Sequence, residues 1–185
     1  MRRPGFVRAA AFAAALGAIT ATGVHAHSAA HVHAPLVSAS SEEGVIPLTF
    51  VDPRYPSTLT DQADRLAADV NAERVRHGIA PLARDPALDR FANAKAIEMA
   101  ARGYFGHTDP DGVTFADRIH AWHWPVPYVA ENIAFDYDEP RANTAFLTSP
   151  PHEANVVDPH ESRIGVAVVT VGNGQTFYVE DFSAK

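Results

Sequence analysis

The stretch Val129-Ala130-Glu131-Asn132-Ile133 sets an acid and an amide between apolar neighbours. A carboxylate flanked in this way is expected to be buried rather than to face open water. Burial of a charge costs several kcal/mol unless the group is paired or hydrogen-bonded. We therefore expect this acid to have specific partners, and the rest of the domain to be arranged around it.

Two histidines are the natural partners of Glu131. His107 lies upstream of the acid and His152 lies downstream. Each is placed at the start of a helical segment rather than inside one, where its ring can turn toward another element. We predict that the three side chains meet in space.

The first 26 residues differ in character from the rest of the 185-residue chain. They combine a basic start, an apolar run at 9–15 and a small-residue cleavage site that ends at Ala26. The apolar run is shorter than the ~20 residues that span a bilayer. The pattern predicts a signal peptide over 1–26, a mature chain that begins at His27 without a membrane anchor, and a secreted, periplasmic or extracellular location.

Charge and cysteine content narrow the class of protein. The whole chain has a net charge of −7, and removal of the signal, which has three arginines and no acids, leaves −10. Such an acidic protein is an improbable partner for nucleic acid. The chain has no cysteine, so it has neither disulfides nor a lipoprotein anchor, and a bacterial envelope or extracellular setting is favoured.

The remaining chain divides into a linker and one folded domain. Residues 27–57 are rich in Ala, Ser, Pro and His, with one extended docking segment at 45–51, and the domain covers 58–185. The linker contains a histidine cluster: His27, His31 and His33. Such a tract either binds copper or zinc or forms a solvated tail.

Apolar spacing and capping signals predict helices over most of the domain. The predicted helical segments are about Asp61–His77, Pro86–Arg102, a short helix capped by Thr114 through Ile119, about Pro140–Leu147, and a short turn that starts at Pro150. Two β-branched and aromatic runs follow, Ile164–Val171 and Thr176–Phe182, joined by a glycine-containing turn. The first run is apolar on both faces, which is typical of a strand covered on both sides. The predicted fold class is α+β, a three-layer α-β-α sandwich around a small, mainly antiparallel sheet.

Seven short motifs follow one another in the segment from Thr58 to Ser183. They are Asn71 and Arg74 before Gly78, Leu82 and Asp85 before Leu88, Gly103–His107, Asp111-Gly112 before Arg118, Ala130–Ala134, Ser149–His152 with Asn155, and Ile164–Val166 before Tyr178–Phe182. In their order and spacing they resemble the CAP superfamily, the SCP-like group that includes cysteine-rich secretory proteins, antigen 5 and plant pathogenesis-related proteins. The resemblance is to the short bacterial branch without disulfides.

This resemblance implies an α-β-α sandwich with a cleft lined by two histidines and two acids, which in some members bind a divalent ion. By position, His107, Glu131 and His152 match three of these four residues. The fourth, acidic position has no counterpart here, because residues 144–148 contain no carboxylate. Glu153 stands where bacterial relatives more often have a basic residue, and it is not assigned to the missing position.

The predicted cluster allows two interpretations. Two imidazoles and a carboxylate with an open position are ligands that zinc accepts, so His107, Glu131 and His152 are candidate metal ligands. Alternatively, Glu131 accepts hydrogen bonds and orients the cleft without any ion. Asn132 is expected to bond backbone carbonyls, and Ser149 either caps a helix or, with His152, forms a nucleophile and base.

Three classes of function remain. One is a binding or interaction module for a lipid, a sterol-like molecule or another cell-envelope ligand. The second is a hydrolase, a peptidase or a cell-wall-acting enzyme, that uses water activated by a metal on His107, Glu131 and His152. The third is a structural platform. Because the second acid is missing, non-enzymatic binding or interaction is favoured, with hydrolysis as the alternative.

Two tryptophans close to the predicted cluster bear on the choice of ligand. Trp122 and Trp124 alternate with His120 and His123. They either line a sugar- or lipid-binding surface or close the core over the third helix, and core closure is expected for at least one of them.

Overall fold

A computed structural model describes residues 6–11, 57–124, 128–136, 138–172 and 174–184. The docking segment at 45–51, the histidine cluster and the predicted cleavage site at Ala26 lie outside these residues. No helix in the described part of the chain is long and apolar enough to cross a membrane.

The described residues form helices and strands whose order along the chain is close to the predicted one. The helices are α1 (Thr60–Arg76), α2 (Pro86–Arg102), α3 (Phe115–Ala121), α4 (Glu139–Thr148) and α5 (Pro150–Val156). The strands are β1 (Phe6–Ala11), β2 (Ser57–Thr58), β3 (Ala83–Arg84), β4 (Tyr128–Asp136), β5 (Arg163–Thr170) and β6 (Thr176–Ser183).

The strands form one mixed sheet in the order β1-β4-β6-β5-β2, with β3 paired to β5. The β4–β6, β5–β6 and β2–β5 pairs are antiparallel, whereas β1–β4 and β3–β5 are parallel. The predicted hairpin of β5 and β6 is present, and helices cover both faces of the sheet. The α+β fold class with its three-layer, mainly antiparallel arrangement is confirmed.

Local capping chemistry sets the bounds of α2. The carboxylate of Asp85 accepts a hydrogen bond from the Ala87 amide at 2.8 Å, and Pro86 occupies the first helical position. Gly103 ends the helix with φ of 66°, a left-handed conformation that glycine adopts at little cost. These signals lie within the helix and its flanks, so the sequence alone predicts both ends.

The sheet separates two helical layers. Helix α2 packs on one face through Ala92, Ala96 and Met99, with α3 beside it. Helices α1, α4 and α5 pack on the other face. Successive side chains of a strand point to opposite faces, so neighbouring residues of β4 enter different layers.

A glycine allows α2 to lie close to the sheet. A Cβ atom added to Gly165 of β5 would lie 2.1 Å from the backbone carbonyl carbon of Leu88 in α2, far inside van der Waals contact. The close approach brings the buried face of α2 against the centre of the sheet, where the polar cluster described below is located.

Strand β1 belongs to the segment predicted as a secretory signal. It pairs in parallel with β4, with Ala9 opposite Glu131. Cleavage after Ala26 would remove this strand and leave β4 at an edge of the sheet, with one row of backbone groups open to a new partner.

Candidate functional site

Glu131 lies in the middle of β4 on the face that α2 and α3 cover, and its side chain is 0% exposed. Its Oε1 atom is 2.7 Å from Nδ1 of His107, and its Oε2 atom accepts a hydrogen bond from the guanidinium of Arg118. Because an ionised carboxylate only accepts hydrogen bonds, Nδ1 of His107 carries the proton in this pair. Both oxygens of the acid are therefore engaged.

Arg118 is held in place by aromatic rings. It belongs to α3, a short helix that starts with a capping box between Thr114 and Asp117. Its guanidinium carbon lies 4.9 Å from the ring centroid of Phe91 and 5.3 Å from that of Phe115, a favourable cation–π arrangement. These contacts hold the guanidinium of Arg118 in a fixed position beside the carboxylate of Glu131.

The electrostatics of the pair favour an ionised acid. Burial raises the pKa of Glu131, but the charge of Arg118 and the hydrogen bond and charge of His107 outweigh burial and lower that pKa to about 2. Glu131 is therefore a permanent anion at neutral pH.

A second buried cation, Lys95, bonds the backbone of His107. Lys95 of α2 is 1% exposed, and its ammonium group donates to the hydroxyl of Tyr104 at 2.8 Å and to the backbone carbonyl of His107 at 3.1 Å. Burial lowers the pKa of Lys95 to about 8, although the charge of Glu131 acts in the opposite direction. The lysine thus ties the loop that carries His107 to the body of α2.

Asp181 completes this group of charges. It pairs with Glu131 across the β4–β6 ladder, so both side chains lie on the same face of the sheet. Burial, followed by the negative charge of Glu131, raises the pKa of Asp181 well above its usual value. Because the pKa of Asp181 is raised, the negative charge that faces Arg118 and Lys95 is favoured on Glu131. We call these residues the α2-side cluster: Lys95, His107, Arg118, Glu131 and Asp181.

The next residue of β4 faces the opposite layer. The amide nitrogen of Asn132 donates to the backbone carbonyl of His152 at 3.2 Å and to a carboxyl oxygen of Glu180 at 3.0 Å, and its oxygen accepts from Asn155 at 2.8 Å. Burial raises the pKa of Glu180 to about 8. We call Asn132, His152, Asn155 and Glu180 the α5-side network. Asn132 has the contact with a backbone carbonyl that was predicted for it.

The prediction that His152 joins His107 and Glu131 is wrong. The ring of His152 is fully buried against Phe146, 5.5 Å between centroids, in the layer of α4 and α5. Among the described residues, the group of three potential ligands whose atoms lie within 4.8 Å of one another is a different one: Glu73, His77 and Glu153. The predicted triad fails because the period of two in a strand sends Glu131 away from α5.

Ser149 lies where α4 ends and α5 begins. Its side chain makes no capping hydrogen bond. Instead, its backbone carbonyl accepts from the amides of His152 at 3.0 Å and Glu153 at 2.9 Å. The residue therefore starts α5 through its main chain rather than through the predicted side-chain cap.

The two tryptophans have different environments. Trp124 packs on the small core of α3 and donates its indole N–H to the hydroxyl of Ser183 at 3.1 Å. Trp122 stays 43% exposed and stands edge-on to Phe91, with ring centroids 5.1 Å apart. Trp124 closes the core, as expected for at least one of the two. Trp122 presents an exposed aromatic surface next to Phe91, the ring that contacts Arg118.

No role in the site was predicted for Lys95, Arg118 or Asp181. A signal was present for one of them, since Lys95 occupies a position in the apolar stripe of α2. A charged residue in such a stripe needs a buried partner of opposite charge. For Arg118 and Asp181 the contact with Glu131 depends on the tertiary fold.

A family model described as CAP, the cysteine-rich secretory protein family, matches residues 67–182. Among proteins of known sequence, the uncharacterized protein YkwD of Bacillus subtilis (strain 168) is 29% identical over 119 residues. The match covers 64% of this chain and 46% of YkwD, so the chain spans less than half the length of that curated relative.

Two solved structures are similar to the chain. An outer surface protein from Borrelia burgdorferi aligns with a TM-score of 0.65 and 20% identity over 71% of this chain and 99% of that one, a likeness that shows the fold. An extracellular protein containing an SCP domain from Bacillus anthracis aligns with a TM-score of 0.60 and 26% identity, over 68% of this chain and 41% of that one.

Proposed function

The chain belongs to the CAP family of cysteine-rich secretory proteins, and from this premise we propose that it is an extracytoplasmic, non-enzymatic binding module for an apolar ligand of the cell envelope. The α2-side cluster acts in this proposal as a rigid wall behind the binding surface. Its residues shape that surface and take no part in bond cleavage.

The environment of Glu131 is the observation that supports a non-enzymatic function. A general base needs a free lone pair within hydrogen-bond reach of its substrate and a pKa near the working pH. Glu131 is fully buried, both of its oxygens are occupied by His107 and Arg118, and its pKa is lowered to about 2. Such a carboxylate serves as the fixed counter-ion of the cluster.

Trp122 supplies the apolar contact surface. Its exposed ring rests on Phe91, which in turn carries the guanidinium of Arg118. An aromatic ring fixed from below loses little conformational entropy when a ligand covers it, so it is an efficient contact residue. An acyl chain or a flat ring system matches this surface.

The binding of an acyl chain can be measured by fluorescence. Titration of the protein with palmitate is expected to change the tryptophan emission saturably. The change is expected to be lost in Trp122→Phe, which removes the reporter, and in Trp122→Ala, which removes both the reporter and the contact. Isothermal titration calorimetry separates the two effects, because Trp122→Phe keeps an aromatic surface and should retain heat of binding whereas Trp122→Ala should not. Val75→Ala is the matched control, since Val75 is an exposed apolar residue on α1.

Two results would contradict this proposed function. One is calorimetric binding that is equally strong in Trp122→Ala and wild type. The other is hydrolysis of casein or of purified cell-wall fragments, with or without added zinc, that disappears in His107→Ala. That second result would establish the hydrolase alternative.

The proposed location outside the cytoplasm has independent support. The sequence begins with the basic and apolar pattern of a signal peptide, and the similar structures include proteins described as outer surface and extracellular. Intact-mass measurement of protein recovered from the culture medium or periplasm is expected to give a chain that begins at His27. A secreted species that retains Met1–Ala26 would contradict the cleavage, and absence from both fractions would contradict the location.

A further inference from the structure

We propose that Glu73, His77 and Glu153 form a divalent-cation site, selective for zinc, that joins the end of α1 to α5. The site lies in the helical layer opposite the α2-side cluster. It is independent of the proposed ligand surface at Trp122.

The geometry brings three ligand atoms together from two helices. One potential ligand atom from each residue lies within 4.8 Å of the others. Glu73 and His77 are four residues apart at the end of α1, where side chains at this spacing share a face, and His77 Nε2 is 2.9 Å from Glu73 Oε1. Two ligands at ~2.0–2.2 Å from one tetrahedral zinc lie ~3.3–3.5 Å apart. The Glu73–His77 pair therefore reaches this spacing with a shift of about 0.5 Å, and the Glu153 atom, which lies within 4.8 Å of both, moves closer by at most ~1.5 Å.

A buried arginine fixes the spacing between the two helices. Arg74, which lies between the two α1 ligands in sequence, is 1% exposed. Its guanidinium donates to the backbone carbonyls of Val156 at 2.8 Å, Asp158 at 2.9 Å and Glu161 at 3.1 Å. The end of α5 is thus bonded directly to the last turn of α1. A site built across these two helices is already assembled before an ion binds.

The charge of the group favours a cation. Two carboxylates, Glu73 and Glu153, belong to the group, and the guanidinium of Arg76 bonds the Oε2 atom of Glu73. This contact orients the acid and leaves Oε1 toward His77. The imidazole is 42% exposed, so an ion can enter from solvent and keep a water molecule in its fourth position.

The ligand set selects zinc over the common hard cations. Imidazole together with carboxylates suits zinc and its neighbours in the first transition row. Calcium takes six to eight oxygen ligands and magnesium keeps several waters in an octahedron, and a set of one nitrogen and two carboxylates serves neither well. Zinc bound here would clamp α1 to α5 and stabilise the folded chain by its binding free energy.

The experiment must separate this site from the histidine cluster of the linker. The background is therefore the full chain with His27, His31 and His33 replaced by alanine, freed of metal with a chelator. In this background, zinc titration is expected to give one saturable site by calorimetry. It is also expected to raise the melting temperature by roughly 5–10 °C at a hundredfold excess over Kd. Magnesium at the same concentration is expected to leave the melting temperature unchanged.

Two ligand variants and one control complete the design. His77→Ala and Glu153→Gln are each expected to weaken zinc binding at least about tenfold and to remove the thermal shift. Both positions are partly or largely exposed, so the variants should fold without metal. His160→Ala is the matched control, because His160 also bonds a carboxylate, Asp158, at 2.8 Å but lies outside the group of three ligands found among the described residues. It is expected to bind zinc like the background.

Three outcomes would overturn the proposal. The first is the absence of a zinc effect in the background lacking the linker histidines. The second is a thermal shift that persists in both His77→Ala and Glu153→Gln. The third is an equal loss in His160→Ala, which would show that zinc acts through surface histidines in general.

Discussion

Glu131 and Asn132 are neighbours in β4, yet they enter two different electrostatic environments. On the α2 side, burial of an acid is balanced by cations, and the pKa of Glu131 is lowered. On the α5 side, the buried acid Glu180 has an amide partner, Asn132, and burial raises its pKa to about 8. The sheet that separates the two groups is one strand layer thick.

The contrast shows that burial alone does not fix the ionisation of an acid. Desolvation raises the pKa of both glutamates, and the partner then decides the outcome. A guanidinium restores the charged form, whereas an amide leaves the neutral form in place. The α2-side cluster is therefore an ion network and the α5-side network a set of neutral hydrogen bonds.

The largest expected loss of unfolding free energy comes from placing a new charge beside the α5-side network. Val166 is 3% exposed and pairs with Glu180 across the β5–β6 ladder, so Val166→Asp is expected to cost about 4–5 kcal/mol of unfolding free energy at pH 7. Val166→Asn controls for size and polarity, and the gap between the two variants should narrow at pH 4 as the new acid is protonated. Urea unfolding measures both. Melting of Val166→Asp within a degree or two of wild type would show that β5 is not a core strand.

A slightly smaller loss of unfolding free energy is expected when the α2-side cluster loses Glu131, its anion. Glu131→Ala leaves Arg118 and Lys95 buried without their counter-ion, and breaking a buried pair in this way costs about 3–5 kcal/mol. Asp64→Ala is the matched control, because the Asp64 side chain is 69% exposed and its loss should change stability by no more than ~0.5 kcal/mol. Equal urea midpoints for the two variants would contradict the ion network.

The two glutamates, Glu131 and Glu180, should also respond to pH with opposite signs. The folded-state pKa of Glu180 is raised from 4.5 to about 8, so its stabilising contribution is complete below about pH 4.5 and declines as pH rises toward 8, by at most ~1.4 kcal/mol per pH unit. Glu180→Gln should remove this decline. The pKa of Glu131 is lowered, so its contribution is present above about pH 4.5 and is lost on acidification. Glu131→Gln should flatten the acid limb of the unfolding free energy, and slopes of the same sign for both glutamates would refute the contrast.

The parts of the structure that local chemistry determines were predictable from the sequence. Helix α2 has its predicted bounds, Pro86–Arg102, because Asp85, Pro86 and Gly103 set its ends without help from the tertiary fold. The β5–β6 hairpin followed from two β-branched runs and a glycine turn. The burial of Glu131 followed from its apolar neighbours.

The site was only partly predictable, because it depends on how elements pack. No strand was assigned to Tyr128–Asp136, so the alternation that separates Glu131 from His152 was missed. Motif order placed His107 and His152 in one cluster, but it holds no information about which face of the sheet each reaches. Arg118 is brought to Glu131 by the packing of α3 on Phe91.

The most direct test of this contrast is an NMR comparison of the ring nitrogens of His107 and His152 in wild type and Glu131→Gln. Because Nδ1 of His107 bonds the carboxylate of Glu131 at 2.7 Å, the Glu131→Gln change is expected to move the His107 nitrogen resonances and to leave those of His152 in place. Asn132→Ala should do the reverse, since Asn132 bonds the carbonyl of His152. Joint movement of both histidines in Glu131→Gln, or movement of His152 alone, would contradict the separation of the α2-side cluster from the α5-side network.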